Sequence, residues 1–447
     1  NGSGDFPSYA TALDGDNYTF NISNAADSLT NGNAEFYYFS DDKDKLDFTD
    51  TRYDISNTYI RSLSEVLSST ATRTILFARY AEYSSTNWTI NNSGYVSYSG
   101  TGKTGKFLSS NGNDSSNFVV VPKIINNTIV KGLQDSALSA LGASVSYILF
   151  PGGEFKTIGK TILASSNAVT KIQLPSDISS IAVATFRNAS NLTNFILNES
   201  LESVYSTPSG VLYNSSRTIL YAHPRQKQIS SSTILQSISI IEQYACYDCD
   251  LGSVELNLPN ATAIKQYAFY QSNAVKNLTA SASGCNIETY AFYTCPNLEY
   301  AFNLGTTNNY AFANCTKLRE VKFSSSCLNI GSYAFSACTN LQTASGLSSM
   351  EEYAFSGCSK LNSIIFNSKC SSIGAYAFNN CSSLTYVELI ADNRLDIANF
   401  AFARTTKLAE IKFSAQTMVL GENCFVVANG SSNIKKITLI AATSLDL

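Results

Sequence analysis

The sequence predicts a solenoid: a parallel-stranded stack of short coils, mixed β with short helices, preceded by an irregular N-terminal cap or a β-rich module. Three observations carry this. From residue 240 onward one phrase recurs, as EQYACYDC, KQYAFYQS, ETYAFYTC, NNYAFANC, GSYAFSAC, EEYAFSGC, GAYAFNNC and ANFAFART. The residue after its alanine falls at Cys246, Phe269, Phe292, Phe312, Phe335, Phe355, Phe378 and Phe402, with Phe425 in register beyond, in steps of 20 to 24 residues. Other columns lock to the same frame. A unit of this length cannot bury its apolar stripe alone, so it stacks on its neighbours and the columns become continuous ladders.

The columns define the coil. Take the aromatic as reference. The fifth residue before it is apolar in almost every copy, from Ile241 and Ile264 to Ile397 and Leu420, with Thr307 the polar exception. The third after it is Cys249, Cys295, Cys315, Cys338, Cys358 or Cys381, with Ser272 and Thr405 in the same column. The sixth is aliphatic, as in Leu298, Leu318 and Leu341. Reference, third and sixth positions have helical spacing and predict a short helical or turn-like stretch. The ninth and eleventh, such as Val321 with Phe323 or Ile411 with Phe413, alternate as a strand does. Each coil is therefore expected to give one strand to a parallel sheet, with coils about 4.8 Å apart. The 20-residue coils, 292 to 312 and 335 to 355, are trimmed after the strand, where Ala301 and Ala344 stand, and read as local tightening. Followed backward, the register fits Ile158 with Leu163 and Ile181 with Phe186, then fades before about residue 130.

The segments LNIGSYAFSACTNL at 328–341 and SSIGAYAFNNCSSLTYV at 371–387 resemble the BspA-like, treponemal-type leucine-rich repeat family. SGVLYNSSRTILYAHPRQKQ at 209–228 resembles that family's elongated coil, placed here near 198–238. The chain departs from the pattern at Cys246, where the aromatic is replaced, and at Ser272, Thr405 and Ala428, where the column cysteine is. The resemblance covers roughly residues 130–440, and the repeat region is taken as 126–447. It implies a leucine-rich-repeat solenoid presented at bacterial or protist surfaces, extracellular or cell-surface, adhering to host proteins, matrix or other cells, with no catalytic residues.

Residues 1–125 carry a different pattern. YTFNI at 18–22, EFYYF at 35–39, TILFARYAEY at 74–83 and NFVVV at 117–121 read as strands, and Ile55, Tyr59, Leu63 and Leu67 share one helical face. Residues 99–117 are a Gly/Ser/Asn-rich loop. A separate β-rich module and degenerate coils that cap the open end are both compatible with these runs. Some cap is needed, since the first coil would otherwise expose its core.

Composition narrows function. Charged residues are 14% of the 447 and apolar residues 44%, so polarity rests on Ser, Thr and Asn, which suits an extracellular surface. The net charge is −4 and the cations are dispersed, which argues against nucleic acid or anionic membrane as partner. No apolar run approaches a membrane span, so no membrane insertion is expected, and NGSGDFPSYA has neither the basic start nor the apolar core of a leader. Cys246 and Cys249 form a C-x-x-C, but both lie in packing columns and no second pair completes a zinc site. Eleven cysteines, recurring in columns, read as a buried thiol ladder: stacked Cβ atoms about 4.8 Å apart exceed the ~3.8 Å a disulfide prefers. GKT at 102–104 lacks the upstream glycine of a phosphate loop, since Ser97 stands there. DGDN at 14–17 and DDKDKLD at 41–47 lack the glycine and terminal Glu of a calcium loop and read as solvated acidic loops. The single histidine, His223, is read as an exposed loop residue. Sequons abound, as at Asn87, Asn188 and Asn277, and their appearance at Asn314 and Asn380, inside the coils, points to composition as their origin. No cofactor, metal or catalytic group is expected.

What remains is surface. If the ninth and eleventh positions point inward, the eighth and tenth face out. The candidate binding face is Tyr300 and Phe302, Glu320 and Lys322, Ile365, Tyr386 and Glu388, Glu410 and Lys412. Aromatics beside opposite charges suit a protein-binding face, so the expected partner is a host or matrix protein or glycoprotein. A structural coat or spacer without a discrete ligand is the alternative.

Overall fold

The computed structural model describes residues 87–100, 118–122, 124–150, 154–164, 167–175, 178–197, 205–207, 210–227, 236–249, 254–426 and 434–446, and the strands Ala34–Ser40, Phe77–Tyr83 and Gly105–Phe107. The chain divides into two compact units, Asn1–Gly210 and Val211–Leu447.

In the second unit every regular coil contributes to two parallel ladders rather than the one expected. The longer strands hold positions eight to eleven and include Val275–Thr279, Tyr300–Thr307, Glu320–Phe323, Thr343–Leu347, Ser363–Phe366, Tyr386–Ile390, Glu410–Leu420 and Lys436–Asp446. The shorter ones precede the reference ring and carry the apolar residue five places before it, as in Ala263–Ile264, Asn329–Ile330, Ser372–Ile373 and Arg394–Ile397. Pairing runs coil to coil in register, Ala301 with Val321 and Val321 with Ala344, or Ile330 with Met350 and Met350 with Ile373. In the 20-residue coils the missing residues come out of the link between the two strands. Tyr300–Thr307 runs through as one strand, and Thr343–Leu347 is followed almost at once by Ser349–Met350. The elongated coil holds its extra length as a β-hairpin, Leu212–Asn214 against Ile219–Ala222.

Positions zero to six form turns, and among the described residues they hold no α-helix. Two left-handed residues in each coil stop a helix from propagating. One is the tyrosine two places before the ring (Tyr267, Tyr290, Tyr310, Tyr333, Tyr353 and Tyr376, φ 56 to 59°) and the other lies two places after it (Asn314, Ala337, Gly357 and Asn380, φ 59 to 79°). Asn380 and Asn314 thus sit in this turn, exposed and half-buried, rather than in the core. The turns make their own ladder. The N–H of Phe335 donates to Ala354 O at 2.7 Å, that of Tyr333 to Glu352 O at 3.0 Å, and that of Ala337 to Ser356 O at 2.8 Å. The same three donors recur coil after coil, always toward the C-terminal neighbour.

The reference rings fill the core. From Phe269 to Phe402 they stack at 4.9 to 5.4 Å, within 9° of parallel, and all are fully buried. Each contributes about 2–3 kcal/mol of apolar burial. The eleven cysteines are buried and unbridged. Their column has a polar task as well: Cys295, Cys315, Cys338, Cys358 and Cys381 direct their sulfurs at the carbonyl of the preceding coil's ring residue, at 3.0 to 3.3 Å. Ser272 also reaches the preceding coil, but its hydroxyl donates three residues farther on, to Cys249 O at 3.1 Å. Thr405 turns its hydroxyl to its own coil, onto Phe402 O at 2.7 Å. The column asks for a small buried donor, which is why Ser and Thr can replace Cys.

In the first unit parallel pairing already runs upstream of residue 126. Tyr95–Tyr98 pairs with Gly132–Leu133, which pairs with Thr157–Ile158 and then Ser180–Ile181. Phe118–Val120 pairs with Tyr147–Leu149, then Lys171–Leu174 and Asn194–Leu197. Trp88–Ile90 folds back antiparallel on Tyr95–Tyr98, with the Trp88 ring 4.8 Å from Tyr98. The strand expected at 35–39 falls within Ala34–Ser40, and the one expected at 74–83 contains Phe77–Tyr83; the two pair antiparallel, with Gly105–Phe107 alongside. YTFNI at 18–22, the face of Ile55, Tyr59, Leu63 and Leu67, both acidic loops, GKT, Ala428 and most of the 99–117 loop lie outside the described residues.

Candidate binding face

Period-two alternation decides which side chains leave the longer ladder. Val321, Ala344, Val387, Leu389, Ile411 and Phe413 point inward and are buried. Their neighbours point out. Tyr300 pairs with Glu320 and Phe302 with Lys322, and the columns continue through Thr343 and Ser345 to Ser363 and Ile365. On the next coils Tyr386 pairs with Glu410 and Glu388 with Lys412. Tyr300, Phe302, Glu320, Glu388, Glu410 and Lys412 are half-buried, Lys322 is exposed, and Ile365 and Tyr386 are 56% and 41% exposed.

The charges on this face pair across coils. Lys412 Nζ meets Glu388 Oε1 at 2.6 Å, and the Tyr386 hydroxyl donates to Glu388 Oε2 at 2.8 Å. Glu410 Oε1 receives Lys436 Nζ at 2.9 Å, a partner the sequence reading missed. Farther along, Arg319 Nε lies 3.7 Å from Glu299. The Lys412 ammonium first, and the Tyr386 hydroxyl second, hold the Glu388 carboxyl below the usual carboxylate range. Glu388 in turn raises Lys412. A depressed carboxyl contributes stability above its unfolded pKa and loses it as pH falls through its folded pKa; a raised ammonium loses its contribution as pH rises through its folded value. Both groups are in solvent, so the contribution is small. Carbon-detected NMR titration should find Glu388 protonating at lower pH than an isolated glutamate, and Lys412→Ala should move it upward. A titration unaffected by Lys412→Ala would show that the pair does not persist in solution.

A model of the BspA type leucine rich repeat region matches six copies here, over residues 123–217, 217–342 and 339–445. The chain belongs to this BspA-type leucine-rich repeat family. No curated relative matches it. Among solved structures, this BspA-type chain is similar to a leucine-rich repeat protein of Eubacterium ventriosum, at 19% identity and a TM-score of 0.44, covering 73% of this chain and 95% of that one. It is also similar to a leucine-rich repeat protein of Bacteroides ovatus (16%, TM-score 0.34, 79% and 98%) and to a leucine rich cell surface protein of Faecalibacterium prausnitzii (14%, TM-score 0.24, 80% and 94%). Among the described residues of the BspA-type chain, no helix is long and apolar enough to cross a membrane.

Two features of the repeats escaped the sequence reading. The first is a second aromatic ladder: Tyr244, Tyr267, Tyr290, Tyr310, Tyr333, Tyr353, Tyr376 and Phe400 stack at 4.7 to 5.2 Å, half-buried, along the turns. The second corrects the placement of the histidine. His223 is 6% exposed, and its N–H donates to Ala245 O at 2.7 Å, the bond each reference ring residue makes. Tyr221-Ala222-His223 is the recurring phrase one period before Cys246, with the imidazole in the ring column.

Proposed function

We propose that this chain is a non-enzymatic binding protein, secreted or held at a cell surface, that engages a protein or glycoprotein through the outward face of its longer strands. The observation that supports it is the register that sets Tyr386, Glu388, Glu410 and Lys412 on adjacent strands as one patch, with exposed Ile390 and Ile440 on the same ladder. Tyrosine offers rigid apolar area at low entropic cost, and fixed charge pairs orient a partner more than they add affinity. Family membership favours display outside the cell, and the Ser, Thr and Asn-rich surface agrees with it.

Surface-immobilised matrix proteins and cell-surface glycoproteins provide the assay. The double change Tyr386→Ala and Lys412→Glu should weaken binding at least about tenfold, while the melting temperature stays put, because exposed strand changes are worth a few tenths of a kcal/mol. Binding that survives the double change but is lost on removal of residues 1–125 would place adhesion in the N-terminal region. A coat or spacer role is favoured by the small polar residues Thr343, Ser345 and Ser363 along the middle of the face, and predicts no saturable binding to any of these proteins.

A further inference from the structure

The tyrosine ladder along the turns carries more polar chemistry than its packing needs. Tyr267, Tyr290, Tyr310, Tyr333, Tyr353 and Tyr376 stack at 4.7 to 5.2 Å, within 8° of parallel. Phe400 continues the stack 5.0 Å from Tyr376, so stacking does not require a phenol oxygen. The six coils before it carry one all the same. Among the described residues these six hydroxyls make no hydrogen bond within the protein, and none is sealed from water. Each therefore keeps a donor and an acceptor for a ligand. Partial burial first, and the neighbouring tyrosines second, raise Tyr290 and Tyr333, so both stay protonated near neutral pH.

The flanks of the strip are polar and neutral. Gln266, Thr289, Asn309 and Ser332 precede the first four of these tyrosines, and a carboxylate first takes that position at Glu352. Lys265 and Glu288, two places before their tyrosines, neutralise each other at 3.0 Å. On the other flank Tyr270 and Tyr293 stack at 5.2 Å and meet Tyr267 and Tyr290 at 64° and 72°. Two coils thus present a two-walled aromatic corner.

We propose that the strip from Tyr267 to Tyr353 binds an unbranched, neutral β-1,4-linked polysaccharide laid along the stack, one sugar to a coil. Such a chain is a straight ribbon that advances by about one coil spacing per sugar. An extended peptide advances about 3.3 Å per residue and falls out of step with the rungs. The equatorial hydroxyls of the ribbon project from its edges, and alternate sugars are turned over, so successive rungs meet different hydroxyls. A phenol that both donates and accepts serves each of them. Tyr270 and Tyr293 supply an apolar wall for the C–H faces of the sugars. No unpaired charge has to be stripped of water by a neutral ligand over the first four rungs. The turn hydrogen bonds, such as Tyr333 N to Glu352 O at 3.0 Å, fix the spacing of the rungs before a ligand arrives, which lowers the ordering cost of binding. This strip lies along the turns, apart from the strand face proposed for protein partners.

Calorimetric titration of the whole chain with cellobiose through cellohexaose tests the site. Affinity should rise with each added sugar, and maltohexaose, an α-linked chain of the same sugar that coils, should bind at least about tenfold more weakly. Replacing Tyr290, Tyr310 and Tyr333 together by Phe removes three hydroxyls and keeps the rings. Cellohexaose affinity should fall at least about tenfold, with an unchanged melting temperature showing that the stack is intact. Tyr386→Ala with Lys412→Glu, on the strand face, should leave cellohexaose binding unaltered. The proposal is overturned if no cello-oligosaccharide binds, if maltohexaose binds as tightly as cellohexaose, or if the three Phe replacements bind like the parent. It is equally overturned if the strand-face variant abolishes cellohexaose binding. Binding of a matrix protein that is lost with the three Phe replacements, in the absence of any oligosaccharide binding, would make the strip a protein site instead.

Discussion

Replacing Phe335 by alanine is expected to cost the array about 3–5 kcal/mol, the range of large-to-small changes in a packed core. The ring lies 5.0 Å from Phe312 on one side and 5.0 Å from Phe355 on the other, with Phe323 edge-on at 5.7 Å, and has no access to water. No neighbour can move in to fill the gap, because every adjacent side chain is held by its own ladder. Tyr333 provides the control. It stacks 4.8 Å from Tyr310 and 4.7 Å from Tyr353, but it is half-buried, so Tyr333→Ala should cost about 1–2 kcal/mol, mostly lost ring contact. Its φ of 57° adds a second handle: glycine there should recover part of the loss by relieving the left-handed backbone. Denaturant titration of the three variants checks the ordering. Equal losses for Phe335→Ala and Tyr333→Ala would mean that the ring column does not carry the core.

The eleven cysteines should be nearly inert to a thiol reagent in the native protein and react rapidly once it unfolds. They are buried, and burial raises the thiols of Cys295, Cys338 and Cys358 well above the ordinary range. Reaction must therefore wait for opening, and for interior coils opening approaches the global unfolding free energy, which protects thiols by about a thousandfold or more. Unfolding without reductant should then release the full complement of eleven. Mass spectrometry that found bridges between successive column cysteines, such as Cys338 with Cys358, would refute the thiol ladder. At single positions, Cys338→Ser should be milder than Cys338→Val, because serine keeps a donor for Phe312 O, as Ser272 does for Cys249 O.

The repeat register was legible because one-dimensional order writes itself into sequence: a column that stacks in space recurs at a fixed step. The outward positions followed from strand alternation alone, which is why Tyr386, Glu388, Glu410 and Lys412 could be placed together. Lys436 could not, since its strand follows the last copy of the phrase and carries no aromatic marker. Helical spacing at positions zero, three and six fits a turn equally well. The signal that separates the two was the run of Asp248, Asn314, Gly357 and Asn380 at position two, residues that accept left-handed backbone. The second strand is often only two residues long, too short for any periodicity to register. The donor role of the thiols links adjacent coils, so only the exceptions Ser272 and Thr405 hinted at it. His223 was hidden by its identity: an imidazole in the ring column reads as a loop residue until the phrase is aligned one period upstream of Cys246.

The turn ladder also gives the repeat stack an electrical direction. In its strands, successive peptides alternate and their moments largely cancel. In the turns they do not: the N–H groups of residues such as Tyr333, Phe335 and Ala337 all aim at the C-terminal neighbour, and the carbonyls they meet all aim back. Aligned peptide dipoles add, as they do in an α-helix, but here the positive pole lies toward the C-terminal end of the stack, the reverse of the helical case. The two ends of the coil stack therefore differ in potential before any side chain is counted, and anionic groups are favoured at the C-terminal one.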